Sequence, residues 1–261
     1  MKVTGDMIVF ITGGARGLGE ATLRMLHEEG AKVAIADLNE ERMVALKEEL
    51  GERMLWFNCD VTKEEQVNYA MDSTVKEWGT IHVVVPCAGI CPKFAVGGDK
   101  SETDFFKKTI EINLYGTLHV VQRAAQIMKE NKPVNERGEK GVMVLVSSIL
   151  KEEGGQGDFA YSASKGAIAS MVLPMARDLG KHNIRVVATA PGPFDTPMLA
   201  DFFEATKKNG TYEKIINLMT PMGRTGFVDE FAHFVKAIIE NGYLNGQALR
   251  IDGATKLVNA D

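Results

Sequence analysis

The sequence of 261 residues predicts a single α/β domain, in which a doubly wound parallel sheet carries helices on both faces and a small segment covers the substrate. Three observations predict this class. Short apolar segments alternate with amphipathic helical segments, as in parallel sheets that are buried on both faces. A glycine-rich turn follows the first strand. No linker, low-complexity segment or internal repeat divides residues 1–261, so one domain is expected.

The first half of the chain supplies four predicted strands and three helices. The strands share short runs of β-branched and other apolar residues, and they are predicted over 7–12, 32–36, 54–58 and 81–85. The helices share apolar residues at helical spacing, and they are predicted over 18–29, 40–50 and 63–78. Right-handed crossovers between parallel strands then place helices on both faces of the sheet.

The second half continues the alternation with longer helices. Residues 105–130 predict one long helix or two in series, and 131–140 form a polar exposed loop. The remaining elements follow in chain order, with strands over 142–146, 184–190 and 249–252 and a helix over 159–179 that Pro174 interrupts. Residues 194–226 are irregular and rich in Met, Phe, Thr and Pro, which favours a segment that covers the substrate.

Composition and charge exclude several classes of protein. The chain is 45% hydrophobic and 25% charged, with a formal net charge of -5, which is typical of a globular protein and unsuited to direct nucleic-acid binding. It contains no apolar run of about 20 residues and no ordinary signal or transit segment. We therefore expect no membrane contact, and a soluble intracellular protein of the mitochondrial matrix or the cytoplasm rather than a secreted one.

Cysteine and histidine patterns predict no metal site. Cys59, Cys87 and Cys91 form no CxxC pair, and the five histidines show no metal-ligand spacing. Free thiols in a reducing compartment are the expected state.

The turn after the first strand predicts a dinucleotide site. Gly13, Gly17 and Gly19 allow a tight turn, a close approach of the backbone to a pyrophosphate and close packing of the next helix. Asp37 ends the second strand, where a carboxylate accepts hydrogen bonds from the ribose hydroxyls of NAD and repels the 2′-phosphate of NADP. Arg16 lies in the turn, where a cation favours NADP. Asp37 makes NAD the expected cofactor, and Arg16 leaves NADP as the alternative.

A second set of residues predicts acid–base chemistry. Tyr161 and Lys165 are four residues apart at the start of a helix and share a face. An ammonium beside a phenol lowers the phenol's pKa, which suits a general acid/base. Ser148 ends the fifth strand at the sheet edge where ligands bind, and its hydroxyl is placed to hold a substrate oxygen.

These motifs resemble the short-chain dehydrogenase/reductase family over nearly the whole chain, which implies a Rossmann-like fold. The resemblance rests on the glycine turn, the pair Asp60-Val61, the pair Ala88-Gly89, and the Ser, Tyr and Lys set. Asn113 and the segment from Pro191 to Thr196 add to it. One departure is Pro86-Cys87, where the family has two asparagines.

The resemblance implies a role for each matching residue. Tyr161 exchanges a proton with the substrate oxygen, Ser148 hydrogen-bonds that oxygen, Lys165 lowers the pKa of Tyr161, and Asn113 positions a water in a proton relay. The residues expected to contact the cofactor are Gly13, Arg16, Gly17, Leu18, Gly19, Asp37, Asp60, Val61, Cys87, Ala88, Gly89, Tyr161, Lys165, Pro191, Phe194 and Thr196. A homotetramer is also implied, with the apolar residues of 231–239 and the last strand at an interface.

The expected activity is the interconversion of a secondary alcohol and a ketone with NAD. The segments around Tyr161 and Pro191 resemble the branch of the family that acts on 3-hydroxyacyl-CoA thioesters and hydroxysteroids. An NADPH-dependent 3-oxoacyl reductase of fatty-acid synthesis is the alternative. A structural subunit of an RNA-processing assembly is a third hypothesis, which an intact Ser, Tyr and Lys set opposes.

Overall fold

The computed structural model describes residues 1–93, 96–97, 100–208 and 210–256, and in this part of the chain the strands form one parallel sheet. The strands are β1 (Ile8–Thr12), β2 (Lys32–Asp37), β3 (Met54–Asn58), β4 (Val83–Pro86), β5 (Gly141–Val146), β6 (Ile184–Pro191) and β7 (Ala248–Ile251). Their order is β3-β2-β1-β4-β5-β6-β7, and every neighbouring pair is parallel. The predicted doubly wound sheet is therefore confirmed.

Helices cover both faces of this sheet. They are α1 (Gly17–Glu28), α2 (Glu40–Leu50), α3 (Glu64–Trp78), α4 (Lys100–Ile110), α5 (Gly116–Lys129), α6 (Leu150–Glu153), α7 (Phe159–Gly180), α8 (Pro197–Lys208), α9 (Tyr212–Met219) and α10 (Val228–Glu240). Successive strand residues point to opposite faces. In β1, Val9 and Ile11 pack with α1 and α10, whereas Ile8 and Phe10 pack with α3, α5 and α7. The inner strands β2, β1, β4, β5 and β6 are thus buried on both sides, which explains their continuous apolar sequences, whereas the edge strands β3 and β7 are mostly half-buried.

The strand order places the candidate site at one edge of the sheet. The chain moves from β1 outward to β2 and β3, then returns past β1 to β4, so the crossovers on the two sides of β1 diverge. Ligands of doubly wound sheets bind where the strand order reverses, beyond the carboxyl ends of the strands. Thr12 of β1 and Pro86 of β4 are neighbours in the register at that point.

Two predicted elements differ in detail. The segment 105–130 is two α-helices joined by a π-helical turn over Glu111–Tyr115. The helix 159–179 was predicted to be interrupted at Pro174, and this was wrong, because α7 continues through it to Gly180. Proline has no N–H to donate to the Ser170 carbonyl, but Pro174 and Ser170 both lie on the exposed face of α7, where solvent can reach that carbonyl.

The helix α10 belongs to the core of the single chain. Phe231, Val235, Ile238 and Ile239 are fully buried, and α10 packs along α1. Their apolar character is accounted for within one chain, and the expected subunit interface at 231–239 and the last strand stays a prediction.

The segment 194–226 contains α8 and α9. Phe203 and Ile216 are buried beneath these helices, whereas Met198, Leu218 and Met222 are more than half exposed. The phenylalanine ring of Phe203 meets the ring of Tyr212 edge-on at 5.8 Å. The segment therefore has a small core of its own together with exposed apolar side chains, and its role as a substrate cover stays a prediction.

Candidate active site

The glycine turn has a geometry that only glycine allows at two positions. Gly13 has φ +66°, and a Cβ there would lie 2.7 Å from the backbone nitrogen of Ala88. A Cβ on Gly19 would lie 2.1 Å from the Gly13 carbonyl oxygen. The start of α1 therefore packs directly on the turn, and the turn packs directly on the segment after β4. Residues 13–19 therefore present backbone at the N-terminus of α1, and this surface, called the cradle below, suits a pyrophosphate.

The carboxylate of Asp37 is held at the end of β2 by the backbone on both sides. Its Oδ2 accepts a hydrogen bond from the Ala15 amide at 3.1 Å, and its Oδ1 accepts one from the Asn39 amide at 3.0 Å. Asp37 thus joins the glycine turn to the start of α2 and fixes a negative charge beside the cradle. Arg16, in contrast, is exposed at the surface of the turn.

The segment after β4 is fastened to the end of β1. The Cys87 amide donates to the Thr12 carbonyl at 2.9 Å, and the Ala88 amide lies 3.4 Å from the Thr12 hydroxyl. Gly89 lies against the catalytic candidates, since a Cβ there would be 3.2 Å from Asn113 Oδ1 and 3.7 Å from Lys165 Nζ. Cys87, Ala88 and Gly89 are therefore between the glycine turn and the Tyr and Lys pair.

Asp60 and Val61 follow β3, which is the strand next to β2 at the edge of the sheet. Asp60 Oδ1 accepts hydrogen bonds from the amide and hydroxyl of Thr62 at 2.9 and 2.8 Å. Val61 is buried, and its carbonyl lies 2.9 Å from Nδ1 of His119. Both residues border the same sheet edge as Asp37, where an adenine ring would extend from the cradle.

Tyr161, Lys165 and Ser148 are close together, as their spacing predicts. The Ser148 hydroxyl is near enough to the Tyr161 phenol to lower its pKa. Lys165 Nζ lies 5.6 Å from the centre of the Tyr161 ring and donates to the Val146 carbonyl at 2.8 Å. All three side chains are less than a tenth exposed. The first turn of α7 and the end of β5 thus build one buried polar site.

Burial governs the titration of this site. It raises the pKa of Tyr161, and the neighbouring Cys91 and Asp158 raise it further while the hydrogen bond from Ser148 lowers it. Burial also lowers the pKa of Lys165 to about 8. The expected fall in the pKa of Tyr161 is therefore not present, because burial of the phenolate is the largest cause and raises the pKa.

The side chain of Asn113 bonds within the protein, and the expected role of Asn113 in positioning a water stays a prediction. It lies in the π-helical turn and is fully buried. Its amide nitrogen donates to the Ile90 carbonyl at 2.9 Å and to the Ser164 hydroxyl at 3.0 Å, and its Oδ1 accepts from the Ile90 amide at 2.9 Å. Both amide hydrogens are used, so this side chain fastens the segment after β4 to α7 and has no donor left for a water.

The segment after β6 closes the site on the side of the glycine turn. A Cβ added to Gly17 would lie 3.6 Å from Cβ and Cγ2 of Thr196, so the two residues are close together. Pro191 is buried at the end of β6, and Gly192 packs against Asp252. Phe194 is buried, and its ring lies edge-on to the ring of Phe231. Leu18 is half-buried in the first turn of α1.

Two residues near Tyr161 were missed by sequence reasoning. Cys91 and Asp158 both act on the pKa of the phenol. An aspartate just before a helix has the ordinary interpretation of a cap, and a cysteine after a strand that of a core residue, so neither pattern indicated the site. Among the described residues, no group of three or more His, Cys, Asp and Glu side chains could hold a metal, and no helix is long and apolar enough to cross a membrane.

Comparison with known proteins decides the family. Residues 13–255 match the family described as Enoyl-(Acyl carrier protein) reductase. The chain belongs to the short-chain dehydrogenase/reductase family. It is 37% identical to the 3-hydroxyacyl-CoA dehydrogenase type-2 of Drosophila melanogaster over 97% of this chain and 98% of that one, and also 37% identical to that of Homo sapiens over 96% and 95%. The crystal structure of 3-hydroxyacyl-CoA dehydrogenase type-2 from Mycobacterium avium superposes with a TM-score of 0.86, at 34% identity and 99% coverage of both chains.

As a short-chain dehydrogenase/reductase, the protein is an oxidoreductase that acts on small molecules with a nicotinamide cofactor. The expected resemblance to 3-hydroxyacyl-CoA dehydrogenases is confirmed by the names of these relatives. The compartment stays a prediction.

Proposed function

We propose that this short-chain dehydrogenase/reductase interconverts a secondary alcohol and a ketone with NAD, and that its substrate is a 3-hydroxyacyl-CoA thioester or a hydroxysteroid. One observation carries the proposal. Tyr161 and the neighbouring Ser148, with Lys165 beside the phenol ring, lie at the same sheet edge as the glycine cradle and Asp37. An acid–base group and a nucleotide cradle that share one edge suit hydride chemistry on an oxygen-bearing carbon.

The residues at the cradle fit the cofactor. Positions 13 and 19 leave no room for a Cβ, so the backbone there is free to meet a pyrophosphate. Gly13, Gly17 and Gly19 would hold the phosphates, Asp37 the adenosine ribose, and Lys165 the nicotinamide ribose. When bound, the nicotinamide supplies or accepts the hydride.

The chain itself handles the proton. In the direction of ketone reduction, the Tyr161 phenol donates its proton to the substrate oxygen, and the Ser148 hydroxyl donates a hydrogen bond to the same atom. The raised pKa of Tyr161 keeps the phenol protonated and ready to donate. Lys165, with a pKa of about 8, supplies a positive charge that stabilises the phenolate left behind.

A tyrosine substitution tests this chemistry. Tyr161→Phe removes the proton and keeps the ring, so we expect turnover of 3-hydroxybutyryl-CoA to fall by about 10² to 10⁴ while NADH binding is preserved. The control is Tyr243→Phe, since Tyr243 is 97% exposed and distant from the chemistry. A Tyr161→Phe protein that kept most of its rate would remove this residue from the acid/base role, and one that supported full cellular function without turnover would favour a structural role.

The carboxylate of Asp37 supports NAD over NADP. Its position at the end of β2 suits the two ribose hydroxyls and opposes a 2′-phosphate. We expect Asp37→Ala to weaken NADH binding and to raise the ratio of NADPH to NADH turnover. Initial rates with the two cofactors at matched concentrations measure this ratio, and a ratio unchanged by the substitution contradicts the assignment.

An NADPH-dependent 3-oxoacyl reductase is the second candidate. The exposed Arg16 in the turn and the acyl-carrier chemistry in the description of the matching family favour it. Equal or better turnover with NADPH in the unmodified protein would establish this candidate instead.

We also propose a homotetramer, as the family resemblance implies. Light scattering on the purified protein gives the mass directly, with 28.5 kDa expected for each chain. A single-chain mass at micromolar concentration would contradict the assembly.

A further inference from the structure

Arg250, in the edge strand β7, connects two segments that lie far apart in the sequence. Its guanidinium donates to Glu153 of α6 at 2.6 Å, to Asp252 at 2.6 Å and to the Thr255 carbonyl at 3.1 Å. The arginine and both carboxylates are less than a third exposed. Charge-assisted hydrogen bonds are stronger than neutral ones, and partial burial reduces their screening by solvent. Arg250 therefore fastens α6 to the turn 252–256 that follows β7.

Glu153 is the acceptor of this connection on α6. Its side chain is 15% exposed and also pairs with Lys256, whose Nζ lies 2.8 Å from the carboxylate. Because Lys256 is 73% exposed, solvent screens its contact, and Arg250 is the stronger of the two partners. The charge of Glu153 is thus met from the turn 252–256 and its neighbouring strand.

The turn is a fixed support, because it is hydrogen-bonded to the segment that contains α9. The Lys256 amide donates to the Met219 carbonyl at 2.9 Å. The hydroxyls of Thr220 and Thr255 lie 3.3 Å apart and share a hydrogen bond. Arg250 therefore ties α6 to a part of the chain that is itself held in place.

The helix α6 in turn holds the hydroxyl of Ser148. The Leu150 amide, at the start of α6, donates to Ser148 Oγ at 3.1 Å, and the Lys151 amide donates to the Ser148 carbonyl at 3.2 Å. A hydroxyl whose oxygen accepts from a fixed backbone N–H still has its own proton to donate. This is the state in which Ser148 can give a hydrogen bond to a substrate oxygen.

The position of α6 depends on its contacts with the rest of the chain. It has only four residues, and isolated helices of fewer than about 12 residues are marginal in water. On one side it packs on α7, where a Cβ on Gly154 would collide with the Ser162 hydroxyl. On the other side the contacts of Glu153 hold it. Loss of Arg250 therefore releases the helix that orients Ser148.

We propose that Arg250 is a positioning residue for the reaction, which holds α6 so that the Leu150 amide keeps the Ser148 hydroxyl directed at the substrate oxygen. This inference rests on the proposed function, because Arg250 acts through Ser148 and does not itself touch the substrate. An arginine that only stabilises the fold would affect the rate independently of Ser148, and this difference can be measured.

A double-mutant cycle tests the path from Arg250 to Ser148. Arg250→Met removes the charge and the hydrogen bonds and leaves an unbranched side chain. We expect it to lower kcat/KM for the reduction of acetoacetyl-CoA at saturating NADH by about tenfold or more, because small displacements of a catalytic group have large effects on rate. The dissociation constant of NADH should not change. In a Ser148→Ala protein, the same substitution should change kcat/KM by less than about twofold, since no hydroxyl remains to be held.

Each result of this cycle decides the assignment. Equal losses in the two backgrounds show that Arg250 does not act through Ser148 and overturn the proposal, and so does an Arg250→Met protein with an unchanged rate. A Ser148→Ala protein that keeps its full rate overturns it as well, because the residue through which Arg250 acts is then not needed.

Two further variants complete the cycle. Arg123→Met is the matched control, because Arg123 is also 30% exposed and pairs with Asp72 away from α6, and it should leave the rate unchanged. Glu153→Gln removes the charge on the α6 side of the contact. It should lower the rate in the same direction as Arg250→Met, with the loss again absent in Ser148→Ala, and it carries the test if Arg250→Met does not fold.

Amide hydrogen exchange keeps this inference apart from the proposed function. Exchange of a peptide that covers residues 148–154, followed by mass spectrometry, needs no turnover. We expect the Leu150 and Lys151 amides to exchange at least about tenfold faster in Arg250→Met, and the amides of α2 to keep their rates. If the unmodified protein reduces no ketone with either nicotinamide cofactor, the proposed function fails, and faster exchange then still supports the hold of Arg250 on α6. Unchanged exchange refutes that hold, whatever the rates.

Discussion

A methyl group on Gly19 is expected to disrupt the glycine turn. The Cβ of Gly19→Ala would lie 2.1 Å from the Gly13 carbonyl oxygen and 2.8 Å from its carbonyl carbon. Non-bonded heavy atoms prefer separations of about 3.5–4.0 Å, so the two backbones must separate by more than about 1 Å. Gly13 has little room to withdraw, because even an added Cβ on it would lie 2.7 Å from the backbone nitrogen of Ala88.

The size of the effect follows from this confinement. Overpacking a well-packed core costs about 1–3 kcal/mol when side chains can adjust, and here only backbone can move. We therefore expect Gly19→Ala to lower the free energy of unfolding by about 3 kcal/mol or more. It should also weaken NADH binding by at least about tenfold, because the amides of the turn lose their common direction.

Two measurements and a control check this prediction. Urea unfolding followed by the fluorescence of Trp56 and Trp78 gives the free energy of unfolding, and titration with NADH gives the affinity. Gly180→Ala is the control, because a Cβ at the end of α7 meets nothing within 4 Å and should stabilise the helix by up to about 1 kcal/mol. If Gly19→Ala loses less than about 1 kcal/mol and binds NADH normally, the cradle is not the rigid contact described.

Two further predictions concern buried charges. Between pH 8 and 10.5, Lys165 is protonated in the unfolded chain and neutral in the folded one, because burial lowers its pKa from 10.5 to about 8. The unfolded state then binds more protons than the folded state. The unfolding free energy of the unmodified protein should therefore rise by about 3 kcal/mol relative to that of Lys165→Met between pH 8 and 10.5. Urea unfolding at several pH values measures this difference, and an unfolding free energy that changes equally with pH in both proteins contradicts the prediction. The buried side chain of Arg185 donates to Glu139 at 2.9 Å and to three backbone carbonyls. We therefore expect Arg185→Met to lower the free energy of unfolding by about 3–5 kcal/mol. The control Arg123→Met, at a more exposed ion pair, should cost about 1 kcal/mol or less by the same assay, and similar losses in both variants refute the distinction.

The sheet and the glycine turn could be predicted because their signals are local. A strand buried on both faces needs a continuous apolar run, and β1 to β6 each show one within two residues of the observed ends. The turn requires glycine at the positions where a Cβ would collide with backbone. Gly13 and Gly19 are two such positions, so the glycine spacing in the sequence was enough to predict the turn.

The errors arose where the outcome depends on distant parts of the chain. Whether Pro174 ends a helix depends on which face of α7 is exposed, because water can replace the lost donor only there. That α1 covers the apolar face of α10 could not be predicted either, because the two helices are about 200 residues apart in the sequence. That the side chain of Asp158 makes no capping hydrogen bond depends on where this side chain turns, which a capping pattern does not reveal.

The direction of the pKa shifts gives Tyr161 and Lys165 complementary parts in the proposed reaction. Burial favours the neutral form of each group, so the free site holds a protonated phenol beside a lysine with a pKa of about 8. When the phenol passes its proton to the substrate oxygen, a phenolate forms next to Lys165 and favours the charged ammonium again. In the proposed reaction, the phenolate and the ammonium therefore stabilise each other. Burial, which opposes the phenolate in the free protein, makes this mutual stabilisation stronger once both charges are present, because little solvent screens them.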